Sequence, residues 1–269
     1  MDLHAERPIG IFDSGVGGLS VVKALLEQMP AESFVYFGDT ANVPYGNKSV
    51  PELFSLSRRI IAYFIRREVK AIIVACGTQS SNTLPVLEKE CPVPIVGMLK
   101  PGIETALEVS DKKYIAVLAT QATVSSRAYT KEIKNRCPDG RVLETACPAF
   151  VPLVENGQLE GEKTIMEVKK VAERIKKEPF DTLILGCTHY PFLINLIKKE
   201  LDCGLHFVDP ASATVAATMK ILRNLNLLRT NDPSAVDHEF LVSGPPESFM
   251  KVGQLLLGTV VDEVQKIAL

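Results

Sequence analysis

Cys76 and Cys187 stand in matching surroundings. Ala71-Ile72-Ile73-Val74-Ala75-Cys76-Gly77-Thr78 and Thr182-Leu183-Ile184-Leu185-Gly186-Cys187-Thr188-His189 each run through apolar residues into a polar turn, and the cysteine marks the change. Such runs predict buried parallel strands, and open α/β sheets place ligands at the carboxyl ends of their strands. One thiol at that edge suggests a nucleophile. Two of them, without Cys-x-x-Cys spacing, suggest thiols that face each other across a ligand, which suits two mirror-related proton transfers. A cysteine on an apolar strand usually packs in a core. Here each one ends its strand beside a glycine and a threonine, which favours a cleft. A free thiol ionises at about pH 8.5, so a working thiolate needs donors or positive charge close by. His189, two residues past Cys187, is the candidate for that role. Cys91, Cys137, Cys147 and Cys203 lie in weaker contexts and read as structural or incidental.

Other polar groups fall at similar strand tips. Asp13-Ser14-Gly15-Val16-Gly17-Gly18 follows the apolar run Pro8–Phe12. Its glycines would let backbone N–H groups point into a cleft at a helix N-terminus, a setting that favours an anion. Gly15, Gly17 and Ser20 partly match a dinucleotide fingerprint, with Asp39 about where a ribose-binding acid would stand. Ser20 in place of the third glycine weakens that match. A tight turn with no ligand fits the same residues. Asp13 and Ser14 could also meet an amino group and a carboxylate directly. Tyr45, in Pro44-Tyr45-Gly46, could offer its hydroxyl or a backbone donor, or belong to a plain loop. Glu155 is a further acid that, taken alone, reads as a solvated helix-end charge. The face carrying Arg58, Arg59, Arg66 and Arg67 reads as solvated surface.

The elements that must position these groups alternate strand and helix along all 269 residues. Strands are expected at 8–13, 33–39, 71–76, 93–98, 114–119, 142–146, 182–187, 206–210 and 239–243. Helices are expected at 19–29, 51–68, 82–90, 125–135, 162–177, 192–201 and 212–228, with a last helix closing the chain. Repeated strand–helix units imply parallel sheets covered on both faces. The two cysteines are 111 positions apart (187 − 76), far more than one βαβ unit. The expected fold is therefore α/β: two similar open parallel-sheet lobes with the active site in the cleft between them.

Composition narrows the function classes. Hydrophobic residues make up 46% and charged residues 23%, as in ordinary globular domains. A net charge of −2 leaves no basic surplus for nucleic acid. No apolar run approaches the roughly 18 residues of a membrane span, so no membrane partner is expected. The first residues lack a secretory pattern, which leads us to expect a cytoplasmic protein with reduced cysteines. With no Cys-x-x-Cys pair in the chain, no metal site is expected.

Taken together, Gly10-Ile11-Phe12-Asp13-Ser14-Gly15-Val16-Gly17-Gly18-Leu19, Phe37-Gly38-Asp39-Thr40, Val43-Pro44-Tyr45-Gly46, Val151-Pro152-Leu153-Val154-Glu155 and Leu185-Gly186-Cys187-Thr188-His189-Tyr190-Pro191 resemble the glutamate racemases of the aspartate/glutamate racemase superfamily. The resemblance covers almost the whole chain. It implies cofactor-independent interconversion of L- and D-glutamate, supplying D-glutamate for peptidoglycan, by a protein often found as a homodimer. It implies a first lobe of residues 1–98 completed by 208–269, with a second lobe, 99–207, inserted. It makes Cys76 and Cys187 the acid/base thiols, with Cys187 taking the proton from L-glutamate and Cys76 from D-glutamate. Asp13 would assist Cys76, and His189 with Glu155 would assist Cys187. Asp13, Ser14, Tyr45, Gly46, Thr78, Thr188 and His189 would touch the substrate. The family pattern carries Asn after the first cysteine, where this chain has Gly77. The Gly77 N–H, Gln79, Ser80 or a water would have to replace that contact. Three other functions compete: a racemase or lyase of another acidic substrate such as aspartate, a nucleotide-binding module using the 15–18 loop, and a thiol redox protein. The last is disfavoured, since thiols on separate lobes would need a large closure to pair.

Overall fold

The computed structural model describes residues 4–201, 204–229 and 236–269. Among these, β1 (Ile9–Asp13), β2 (Phe34–Gly38), β3 (Ala71–Val74), β4 (Ile95–Gly97), β9 (His238–Val242) and β10 (Gln265–Lys266) form one sheet, ordered β10-β9-β2-β1-β3-β4. β5 (Tyr114–Ala119), β6 (Arg141–Ala146), β7 (Thr182–Leu185) and β8 (His206–Val208) form a second, ordered β6-β5-β7-β8. Every pairing is parallel. The run β2-β1-β3-β4 has the same relative order as β6-β5-β7-β8. β3, which leads to Cys76, therefore corresponds to β7, which leads to Cys187.

The helices are α1 (Leu19–Gln28), α2 (Val50–Arg66), α3 (Gly77–Asn82), α4 (Leu84–Glu90), α5 (Leu99–Val109), α6 (Gln121–Ser126), α7 (Ala128–Arg136), α8 (Phe150–Glu155), α9 (Glu162–Ile175), α10 (Ile194–Leu201), α11 (Pro210–Asn224) and α12 (Pro246–Leu257). None of the described helices is long and apolar enough to cross a membrane. The central strands β1, β2, β3, β5 and β7 are buried on both faces. In β5, Tyr114, Ala116 and Leu118 join the largest core cluster, while Ile115, Val117 and Ala119 join a separate one. The largest cluster also takes in Ile9, Ile11 and Leu19 of the first sheet's side and Leu183 and Leu185 of the second's, so one core runs between the sheets. The chain passes from first sheet to second after β4 and returns after β8. At these crossings Gly102 lies against Pro210, and the Thr214 hydroxyl meets Met98 Sδ at 3.3 Å.

Several elements depart from the expected ones. The Cys76 turn is already helix: Cys76 is the N-cap of α3. Most of the polar run after it is buried with fixed partners. Ser80 Oγ donates to Val74 O and accepts from Met98 N, and Gln79 Nε2 donates to Leu53 O. The helix expected at 125–135 is two helices, broken where Arg127 adopts φ 56°. α8 was not expected at all. Pro152 falls in its first turn, where no backbone donor is lost. The chain ends not on a helix but on β10, which adds an edge to the first sheet. Arg58 of α2 and Arg67 at its C-cap pair with Glu90 and Glu239. Cys147 is buried, with its thiol near Thr145 O, while Cys91 and Cys137 are half-buried; Cys203 lies outside the described residues.

Away from the strand tips, Lys70 and Glu32 form a buried ion pair at 2.5 Å, with side chains 1% and 2% exposed. Lys70 also donates to Ala5 O, and Glu32 accepts the Arg229 N–H. Removing one member strands the other charge. Lys70→Met is therefore expected to cost about 3–5 kcal/mol of unfolding free energy in a denaturant titration. A loss under about 1 kcal/mol would show that Glu32 finds water or another partner.

Candidate active site

The strand tips of the two sheets meet. β1 delivers Asp13, fully buried, and Ser14 follows it. β1 pairs with β3, so Cys76 emerges beside Asp13. In the second sheet β7 delivers Cys187, Thr188 and His189, all buried. The Thr188 hydroxyl donates to Asp13 Oδ1 at 3.2 Å, joining the sheets at the site itself. Tyr45 and Gly46 form a short 3-10 turn beside them. Gly46 packs on Thr120, the residue after β5. The hydroxyls of Thr78 and Thr120 lie 2.9 Å apart, another contact between the lobes.

Around Cys187 the residues form a relay. Its sulfur lies 3.6 Å from His189 Nδ1, and His189 Nε2 lies 2.6 Å from Glu155 Oε1. Burial opposes a charge on His189. The hydrogen bonds to Cys187 and Glu155, and their negative charges, outweigh burial and raise its pKa well above the ordinary histidine range. That favours the protonated ring, whose positive charge beside the Cys187 sulfur is of the kind on which a thiolate draws. Glu155 is thus no solvated end charge: α8 turns its carboxylate inward.

Cys76 has different company. Burial pushes its thiol well up, and the Asp13 charge adds to this; the Gln79 and Thr78 N–H groups pull the other way. Burial also raises the Asp13 carboxyl, against the His189 charge and the Gly15 N–H. Described residues include no group of three or more His, Cys, Asp or Glu side chains that could hold a metal. A cavity of about 320 Å³, lined by Val16, Val43, Pro44, Pro152, Glu155 and Phe249 among others, opens beside the relay.

Several expectations need correction. The Gly15–Val16 N–H groups do face anions, but the anions are the protein's own: Gly15 N donates to Asp13 Oδ2 at 3.1 Å and Val16 N to Glu155 Oε1 at 3.0 Å. Asp39 is no ribose acid. Its carboxylate accepts from Tyr45 Oη, Asn42 Nδ2 and Ser243 Oγ. That also commits the Tyr45 hydroxyl, at 2.5 Å, and leaves Tyr45 only its backbone to offer. Gln79 and Ser80, with side chains bonded elsewhere, are not free to replace a missing Asn. Gly77 itself has no room for a side chain: a Cβ there would lie 2.3 Å from the Gly186 carbonyl oxygen. Thr120 and Gly186 escaped sequence reasoning. Thr120 ends β5 as Cys187 ends the run through β7, and that shared placement was the available signal.

The model of the Asp/Glu/hydantoin racemases matches residues 9–218, and the chain belongs to that family. Within it, the chain falls among the glutamate racemases. It is 40% identical to the glutamate racemase of Lactobacillus helveticus over 94% of each chain. The crystal structure of a Bacillus anthracis glutamate racemase superposes with a TM-score of 0.93 at 33% identity, covering 99% of this chain and 98% of that one. That of Francisella tularensis, in complex with D-glutamate, gives 0.89 at 32% identity, covering 98% and 97%.

Two predictions follow from the geometry. Glu155→Gln removes the anion that holds the His189 proton, so burial should prevail and ring NMR should show His189 titrating at lower pH. A raised histidine pKa stabilises fully below about pH 6.5 and less as pH climbs through the folded value. The variant's stability deficit should accordingly be widest near pH 6, about 2 kcal/mol, and shrink at alkaline pH. An unchanged His189 titration would refute the relay. Gly77→Ala should cut kcat/KM by about 10- to 100-fold, because a displacement near 1 Å at reacting groups has that effect, and Gly77→Asn should be no better. Either variant at full activity with an unchanged melting temperature would mean that the 77–186 contact opens freely.

Proposed function

We propose that the protein racemises glutamate by moving the Cα proton between two thiols, without a cofactor. The observation that carries this reading is the placement of Cys76 and Cys187 at corresponding strand tips of facing sheets, each with its own charged partner. Glutamate would lie with Cα between the sulfurs. Cys187, as thiolate against the His189 imidazolium, takes the proton of L-glutamate, while Cys76, kept as a thiol by burial, donates to the opposite face. In the reverse direction Cys76 must lose its proton, and Asp13, with its raised carboxyl, is the nearby group suited to assist. A single base would return the proton to the face it came from; inversion calls for two. The Cα–H is very weakly acidic, so donors aimed at the substrate carboxylate must carry most of the stabilisation. The N–H groups of Ser14, Gly46, Gly77 and Thr188 and the hydroxyls of Ser14, Thr78 and Thr188 are the groups available. On this reading residues 1–98 with 208–269 form one functional lobe and 99–207 the other, a division supported by sheet membership. The reaction would supply D-glutamate for peptidoglycan in the cytoplasm, with the protein working as a homodimer.

The test is proton NMR of L-glutamate with the protein in D₂O, followed by chiral analysis. Loss of the Cα–H signal with appearance of D-glutamate is expected. Cys76→Ser and Cys187→Ser should each lower kcat by about 10²–10⁴-fold, the usual worth of a positioned acid or base. Either variant at wild-type rate would rule out the two-thiol mechanism. Aspartate in the same assay separates the neighbouring specificity.

A further inference from the structure

Tyr36 sits in β2, fully buried, paired in register with Ile11. Its ring is held by Phe240 of β9 and Phe249 of α12, with centroids 6.0 and 5.7 Å away. Its hydroxyl donates to Gly15 O at 2.6 Å. That oxygen belongs to the same peptide unit as the Val16 N–H. A peptide is planar, so fixing its oxygen fixes its N–H, and a hydrogen bond accepted at the oxygen strengthens the one donated by the nitrogen. The Val16 N–H goes to Glu155 Oε1, which in turn meets His189 Nε2. The Gly15 N–H, one residue earlier, goes to Asp13 Oδ2. Two successive N–H groups thus hold the two carboxylates, one for each thiol. The backbone must come this close: a Cβ on Gly15 would lie 2.0 Å from Glu155 Oε1.

We propose that Tyr36 is a positioning residue for the racemase reaction, acting through the Gly15–Val16 peptide on Glu155 and, through the adjoining Ser14–Gly15 peptide, on Asp13. It rests on the two-thiol reading above. Tyr36 touches no reacting atom; it sets where the two carboxylates stand. Its hydroxyl starts a continuous series of hydrogen bonds that ends on the Cys187 sulfur in the other lobe. The titratable groups facing Asp13 are His189 and Glu155 from the second lobe and Cys76, Tyr45 and Tyr36 from the first.

The experiment is Tyr36→Phe, which removes one oxygen and leaves the ring packing. Expected is a fall in kcat of about 10- to 100-fold with both enantiomers, with KM changing less. An N–H donor favours the ionised carboxylate. A slackened Gly15 N–H therefore lets the Asp13 carboxyl rise, and the acid limb of the kcat/KM profile moves to higher pH. The His189 ring titration should shift as well, since Val16 shares Glu155 with it. A lowered melting temperature with wild-type kcat, pH limb and His189 titration would make Tyr36 merely structural and overturn the proposal. Should Tyr36→Phe not fold, Phe249→Leu keeps the hydroxyl and loosens its ring; the same shifts in smaller measure are expected, and unmoved kinetics and pH limb would also overturn it. Cys187→Ser is assayed alongside. If that variant stays active, the two-thiol reading has failed; if it is dead while Tyr36→Phe behaves as wild type, only the role of Tyr36 has.

Discussion

A parallel sheet has all its carboxyl strand ends on one edge, because each strand must return through a crossover before the next begins. This chain meets that constraint twice, with the same relative strand order each time, and turns the two edges toward each other. Everything at the site follows from it. Asp13 and Cys76 stand together because β1 pairs with β3; Thr120 and Cys187 stand together because β5 pairs with β7. The facing edges then form a site with two sides, and each side has its own thiol, threonine and carboxylate.

The two sides are similar in backbone and different in electrostatics. Cys187 has a cation at 3.6 Å, itself held by Glu155. Cys76 has the Asp13 carboxylate and burial, both of which favour the thiol. For the proton transfer between opposite faces proposed above, this inequality is useful. One sulfur must be able to accept when the other is able to give, and two equivalent thiols in one buried site would have no reason to differ. The same charges are also shared across the cleft: the His189 cation draws on Asp13 as well as Glu155, so the protonation of one side is felt by the other.

Sequence reasoning reached the two thiols, the parallel lobes and the residues Asp13, Thr78, Thr188 and His189 because those features are local: an apolar run, a polar residue where it ends. Taken residue by residue, it says little of groups whose meaning is set by distant partners; Glu155 entered only through the family resemblance. Glu155 looks like a solvated helix end until α8 is seen to aim it at His189, 34 positions on. The glycine loop looks like an anion site, and it is one, but its anions lie at Asp13 and at Glu155, on the far lobe. Asp39 and Tyr45 each look free in sequence and are in fact each other's partners. Gly77 looks like a lost side chain, whereas the Gly186 backbone occupies the space. The helix at 77–82 was hidden for the same reason: the partners that let Thr78, Gln79 and Ser80 enter a buried helix lie elsewhere in the chain or across the cleft.

The contacts that join the strand-tip edges are few and nearly all polar: Asp13 with Thr188, Val16 with Glu155, Thr78 with Thr120, together with the close backbone approaches at Gly46 and Gly77. Each hydrogen bond is worth about 0.5–1.5 kcal/mol net, and water can replace it when the edges part. The apolar core between the sheets lies behind them and is far larger. Opening at the edge therefore costs little, while the core and the paired crossings at Met98 and Pro210 keep the two lobes in one geometry. The residues that seal the cleft are largely those that serve the thiols, so the site is complete only when it is closed. On the proposed two-thiol mechanism, a substrate with two carboxylates and an ammonium would take over these same donors and acceptors, so that its binding and the assembly of the acid/base groups would be a single event.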